Sequence, residues 1–173
     1  MNKPLIAFWM LFLTSAVFVS AAPAGESVLD VRQAIQNVYD QAAVLLDNKD
    51  FDGVVKLTAP DAVFFYADGL KQTVSEWATA AEKNPAGKKT AHIRFELGAI
   101  RWKVNDAVVN VKEVYTYTLA GAQEAGHTYQ ATILWRVNFV KTEQGWQPRR
   151  FNQLSCQIKK DGIQISLIRA PRK

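Results

Sequence analysis

The chain has 173 residues, with 21 basic and 16 acidic side chains and a formal charge of +5. That length suits one domain with a core of ordinary size. Its charges are mixed along the chain, with no Lys/Arg run long enough for a nucleic-acid arm, so no nucleic-acid partner is expected.

The N-terminus comes first. Lys3 precedes an apolar run from Leu5 to Val19, the length of a signal-peptide h-region and short for a membrane span. Small-residue cleavage sites follow, and cutting after Ala21 or Ala24 is expected; Pro23 disfavours a cut after Ala22. Residues 1–24 are therefore read as a signal peptide and 25–173 as one domain, periplasmic or secreted, with no membrane contact after cleavage. With no cysteine nearby, a lipoprotein anchor is excluded.

From Val28, apolar residues recur at helical spacing through Val31, Ile35, Val38, Ala42 and Leu45. Ser27 is the expected N-cap, and the carboxylate of Asp30 suits the first turn. The helix should end near Asp47-Asn48-Lys49. Asp50 then caps a short helix carrying Phe51, Val54, Val55 and Leu57, stopped by Pro60. Ala62 to Tyr66 reads as a short buried strand and Asp68-Gly69 as a turn. A third helix is expected from Val74 to Glu82, begun near Thr73 or Ser75 with Trp77 on its apolar side. A loop from Asn84 to Lys89 follows.

The remainder alternates with period two. In His92 to Val104 the apolar phase switches at Gly98, from Ile93, Phe95 and Leu97 to Ile100, Trp102 and Val104. A slip of one residue at a glycine predicts a β-bulge. Asn105-Asp106 turns into a strand from Ala107 to Leu119, and 121–126 is the next turn. Tyr129, Ala131, Ile133, Trp135, Val137 and Phe139 then form one clean face. Glu143-Gln144-Gly145 turns into a strand from Trp146 to Ile158, and Asp161-Gly162 into a last strand from Ile163 to Ile168, ahead of a basic tail. The fold class is α+β: a cone-shaped barrel of strongly bent antiparallel sheet packed on three N-terminal helices.

The order of these pieces carries a resemblance. Tyr39, Asn48-Lys49-Asp50-Phe51-Asp52-Gly53, Pro60-Asp61-Ala62-Val63-Phe64, Asp68-Gly69 and Gly145-Trp146 together resemble the nuclear transport factor 2-like superfamily over about Val28 to Ser155. The stretch from Trp146 to Ser155, with Arg149, Arg150 and Asn152, looks most like the SnoaL-like and association-domain branches, without the histidine often found there. The resemblance implies a cone cavity and a homodimer. Ketosteroid isomerase chemistry does not carry over. Its donor and base roles fall near Ala42 and Tyr66; alanine donates nothing, and tyrosine is no base near neutral pH. Scytalone-dehydratase-like chemistry needs a pair of histidines, and His92 stands alone.

Aromatic residues make up 11% of the chain, enough to line an apolar pocket. The expected ligand-binding residues are Tyr39, Tyr66, Trp77, Phe95, Tyr115, Tyr117, Trp135 and Arg150, with Phe64 and Phe151 beside them. Arg150 would suit an anionic group, so the ligand is expected to be small and apolar or anionic. Arg149 and Arg150 point to opposite faces, so at most one enters. Glu113 shares strand parity with Val111 and Tyr115. If that face is concave, desolvation would raise its pKa and fit it for acid/base work; a second bulge would turn it outward. Asp61, ordinarily a turn residue, and His92, at a strand start, are lesser catalytic candidates. No phosphate loop or dinucleotide fingerprint is present, so no cofactor is expected. One cysteine, Cys156, rules out an internal disulfide and reads as buried and inert. With His92 and His127 it cannot build a typical zinc site, so no metal is expected. Three functions stay open: ligand binding without catalysis, an isomerase, dehydratase or cyclase using Glu113 or Asp61, and an assembly module pairing through its open sheet face.

Overall fold

The computed structural model describes residues 26–83, 88–119 and 126–171. The N-terminal apolar run, most of the loop after the third helix and the turn at 121–125 lie outside them.

Helix α1 spans Val28–Asp47. Ser27 and Asp30 form a reciprocal cap: the Asp30 amide donates to Ser27 Oγ at 3.2 Å and the Ser27 amide to Asp30 Oδ2 at 2.9 Å. The buried stripe is Val31, Ile35 and Tyr39, each four residues apart on one face. Asp50 starts α2 (Phe51–Lys56) by accepting from the Gly53 amide at 2.8 Å. Gly53 is needed there, because a Cβ would sit 2.6 Å from the capping carboxylate. Helix α3 (Val74–Lys83) opens on a second reciprocal cap between Thr73 and Glu76.

Between α2 and α3 lie β1 (Val63–Phe65) and β2 (Lys71–Thr73), a hairpin turned at Gly69 with φ +95°. Strand β2 had no signal in the sequence: Lys-Gln-Thr carries no apolar alternation. The long strands are β3 (Lys88–Lys103), β4 (Asp106–Leu119), β5 (Tyr129–Thr142) and β6 (Gly145–Lys160), followed by β7 (Ile163–Arg169). The strand thus begins at Lys88, inside the expected loop.

The sheet order is β2-β1-β6-β5-β4-β3, with β7 also on β6. The strands from β3 to β7 pair antiparallel, as expected. The short β1 joins β6 in parallel, which makes the sheet mixed, and β2 and β3 stay as unjoined edges, so the cone is open. The bulge at Gly98 is present: β3–β4 register shifts between Leu97 and Ile100. Arg32 on α1 donates to the Leu97 and Gly98 carbonyls at 2.9 and 3.0 Å, satisfying backbone acceptors where the ladder is broken. The bend thereby carries β3 along the helix.

The core is one layer of α1 on the concave face of the sheet. Val31, Ile35 and Tyr39 meet Val109, Val111, Trp135, Val137, Phe139 and Trp146. Register between β4 and β5 is unbroken from Asp106 to Tyr117. No second bulge intervenes, so Glu113 keeps the face of Val109 and Val111 and points to the concave side.

Candidate functional site

Where α1 parts from the sheet, the chain forms a partly open cavity of about 190 Å³. Helix α1 gives it Val38, Tyr39, Ala42 and Leu46; α2 gives Val54; α3 gives Val74 and Trp77. Phe64 and Tyr66 come from β1 and its end, and Phe95, Glu113, Ile133, Trp135 and Phe151 from the sheet. The aromatic rings pack in two groups, one around Phe64 and one around Tyr39. Phe64 lies 4.5 Å from Phe151, 5.6 Å from Trp135 and 5.9 Å from Trp77, centroid to centroid. Tyr39 lies 4.8 Å from Phe95. These tilted pairs avoid the face-to-face sandwich that the ring quadrupoles disfavour.

Among the described residues that line the cavity, Glu113 alone is charged. It sits on one rung with Phe95 of β3 and Ile133 of β5. Trp135 Nε1 donates to Glu113 Oε2 at 2.8 Å. Three lining hydroxyls differ in state. Thr58 donates to the Val55 carbonyl at 2.8 Å, and Tyr66 to Gln72 Oε1 at 3.3 Å. The Tyr39 hydroxyl is buried and has no hydrogen-bond partner among the described residues.

Burial pushes the Tyr39 hydroxyl well above the ordinary tyrosine range, and the charge of Glu113 adds to the shift. Tyr66 is pushed up to about 12, first by burial, then by Glu113 and Asp68. Burial also raises the half-buried Cys156 thiol, with Glu113 contributing, so it stays in its unreactive protonated form at neutral pH. One prediction follows from the shared cause. Glu113→Gln should lower the Tyr66 pKa, because one of the two charges resisting tyrosinate goes. Alkaline titration of the tyrosinate absorbance, with Tyr66→Phe identifying the band, measures it; an unmoved band would mean that the carboxylate does not reach Tyr66. By linkage the raised Tyr66 pKa contributes stability that is present below pH 10 and lost as pH climbs towards about 12.

The other expected site residues lie elsewhere. Tyr115 and Tyr117 take the next positions on Glu113's face of β4 but do not line the cavity; they stack on each other at 5.2 Å, and Tyr117 stacks on Tyr129 at 5.4 Å. Arg150 is exposed on the other face, its guanidinium 4.2 Å from the Phe65 ring centre. Asp61 is exposed and paired with Arg149, whose hydrogen bonds hold its carboxyl below the usual carboxylate range. His92 is exposed on β3, on the parity opposite Ile93 and Phe95. Sequence reasoning did not single out the aliphatic wall of Val38, Leu46, Val54 and Ile133. The helical stripe of α1 and the clean face of β5 were the signals available for it.

A wider depression of about 330 Å³ lies among Thr116, Gln130, Lys159 and Asp161. Both cavities are partly open to water, and the side chains around this one are mainly polar. The aromatic cavity, apolar with few polar groups, is the better site. Among the described residues no three His, Cys, Asp or Glu side chains converge to hold a metal, and no helix is long and apolar enough to cross a membrane.

Comparison with solved structures shows the fold. A protein of Novosphingobium aromaticivorans provisionally named a scytalone dehydratase matches with a TM-score of 0.67 and 12% identity, over 84% of this chain and 95% of that one. Another from that organism, provisionally named an aromatic ring hydroxylase, matches at 0.62 and 18%, over 73% and 90%. The hexachlorocyclohexane dehydrochlorinase LinA-type3 of Novosphingobium barchaimii LL02 matches at 0.59 and 11%, over 84% and 97%. At these identities the likeness is one of fold, the cone of the nuclear transport factor 2-like superfamily. A search of curated proteins finds no match. The model of the SnoaL-like domain matches residues 27–152, most of the chain and every element that builds the cavity up to Phe151, and the chain belongs to the SnoaL-like domain family.

Proposed function

We propose that the protein binds a small, mostly apolar, uncharged molecule in the cone cavity. The observation that carries this reading is a partly open cavity of about 190 Å³, walled by aromatic and aliphatic side chains around one carboxylate. A dry apolar cavity of roughly 150 Å³ is enough for a benzene ring. Glu113 repels an anionic ligand, and Arg150, which would attract one, lies on the other face. Native mass spectrometry of the purified protein, with tryptophan fluorescence as ligand is added, tests the reading, since Trp77 and Trp135 both line the cavity. Binding is expected for wild type. It should be lost in Ala42→Phe, which fills the cavity from α1, with the fold retained by circular dichroism. Absence of bound mass and of any fluorescence change across a panel of small apolar compounds would overturn it.

A second reading is favoured by where Glu113 stands. A carboxylate among aromatic rings suits proton transfer to and from carbon, the chemistry of isomerases, dehydratases and cyclases. The proteins named for dehydration and dehydrochlorination share this fold. On this reading Glu113→Gln abolishes turnover without lowering stability; wild type that binds ligand and leaves it unchanged decides for the first reading.

The apolar N-terminal run and its small-residue exit support export of the mature chain. Cell fractionation checks this: the exported form lacks the leader, whereas full-length protein retained in the cytoplasm would rule export out.

A further inference from the structure

We infer that the outer, convex face of the sheet binds an extended polysaccharide bearing carboxylates, along a stripe of guanidinium groups that crosses the strands. This surface lies on the side of the sheet away from the cavity and stands apart from the binding reading above.

Register fixes what the face carries. Phe64, Trp135 and Phe151 line the cavity, so Val63, Phe65, Arg136, Arg150 and Asn152, their neighbours in the chain, take the opposite face. One rung across the sheet runs Arg101, Val108, Asn138, Arg150, Val63 and Thr73. The next runs Asn110, Arg136, Asn152, Phe65 and Lys71. The cations Arg101, Arg136, Arg150 and Lys71 are all exposed, and neither rung contains a carboxylate. They reach from β3 at one edge to β2 at the other, five strand spacings or roughly 24 Å. Among the described residues none of the four is in an ion pair. The charges beside them are paired instead, Arg149 with Asp61 and Lys112 with Glu96. Lys71 shares its field with Glu76, and Asp106 stands one rung beyond Arg101, so Arg136 and Arg150 are the centre of the stripe.

Arg150 is held ready for a ligand. Its guanidinium lies 4.2 Å from the Phe65 ring centre, and its Nε donates to Asn152 Oδ1 at 3.3 Å. Asn152 Nδ2 donates in turn to the Arg136 carbonyl at 3.3 Å. The ring and the amide fix the plane of the guanidinium and leave its two terminal amino groups pointing away from Asn152. A group fixed in this way loses little freedom on binding. Arg136 is the diagonal neighbour of Arg150 across β5 and β6, within reach of a long side chain. Two like charges so placed repel each other until an anion lies between them.

The partner follows from the side chains between the cations. A guanidinium fork matches a carboxylate with two parallel hydrogen bonds. Asn110 and Asn138 carry amides that both donate and accept, the complement of a sugar hydroxyl. A single-stranded nucleic acid needs bare rings on which bases stack, and Arg150 covers Phe65, the one aromatic residue of the two rungs. A membrane surface needs apolar side chains to insert, and neither rung has an exposed large one. A chain of acidic sugars uses the guanidinium groups and the amides together.

The test titrates polygalacturonate into the purified protein by calorimetry, beside dextran, oligothymidylate and phosphatidylglycerol vesicles. Polygalacturonate is expected to bind at low salt, more tightly than the other three, and to weaken as salt rises. Arg136→Gln and Arg150→Gln should each weaken it roughly three- to fivefold, the span of an exposed charge contact. Asn152→Ala keeps every charge and should weaken it too, by releasing Arg150. Arg149→Gln removes the same charge from a residue already paired with Asp61 and should change it little. All these side chains sit on the surface, and urea unfolding checks that each variant keeps its fold. Equal losses in the three arginine variants would reduce the effect to net charge and overturn the site. Absence of polygalacturonate binding at low salt, or tighter binding of oligothymidylate or vesicles, would overturn the polysaccharide.

Discussion

Trp135→Ala is expected to cost roughly 3–5 kcal/mol of folding stability. Trp135 is 6% exposed and packs at ring distances of 5.6 Å on Phe64, 6.0 Å on Tyr66 and 6.3 Å on Phe151. Truncation removes these contacts and also the donor to Glu113, leaving a carboxylate in apolar surroundings with one hydrogen bond fewer. The two losses separate in Trp135→Phe, which keeps an aromatic body and deletes Nε1. Because the indole already faces a cavity on one side, the packing loss belongs at the lower end of its range. Urea unfolding measures both variants. The expected order is wild type, then Phe, then Ala. A loss below about 1 kcal/mol for alanine would show that the wall collapses around the gap, since the cost depends on how well a site can close.

Much of the local structure was written in short-range signals. Ser27 with Asp30, and Asp50 ahead of Gly53, are helix starts that depend on residues three apart. Gly98 marked the β3 bulge because an out-of-phase alternation needs an extra residue to absorb it. The parity of β5 put Tyr129, Ala131, Trp135, Val137 and Phe139 on one buried face. What could not be read is non-local. The parallel pairing of β1 with β6 joins Val63 to Arg150 across about half of the chain, and no turn residue encodes it. The face of Glu113 hinged on whether β4 carries a bulge, and the unbroken ladder to β5 gives the answer.

The same limit governs the site. Parity placed Tyr115 and Tyr117 with Glu113, and the structure keeps them on that face. The reach of the helices over the sheet decides which rungs of the face line the cavity, and that reach has no period in the sequence. Arg149 and Arg150 show another limit: the β5–β6 register shifts between Asn138 and Phe139, leaving Arg149 as the extra residue that pairs with Asp61. Phe151 then turns inward and Arg150 outward, so the cavity's charge is negative.

Tyr39 should respond to two substitutions with opposite signs. Tyr39→Ala is expected to lose roughly 3–5 kcal/mol, because the ring is 5% exposed and fills the space between α1, Phe95 and Phe139. Tyr39→Phe keeps that ring and deletes only the unpartnered hydroxyl, so it should gain roughly 1–3 kcal/mol, the usual desolvation cost of a buried polar group left unmatched. Few single substitutions in a core are expected to stabilise, which makes the sign more telling than the size. Urea or thermal unfolding of the two variants beside wild type measures both signs. A phenylalanine variant less stable than wild type would mean that the hydroxyl is already satisfied in the folded protein.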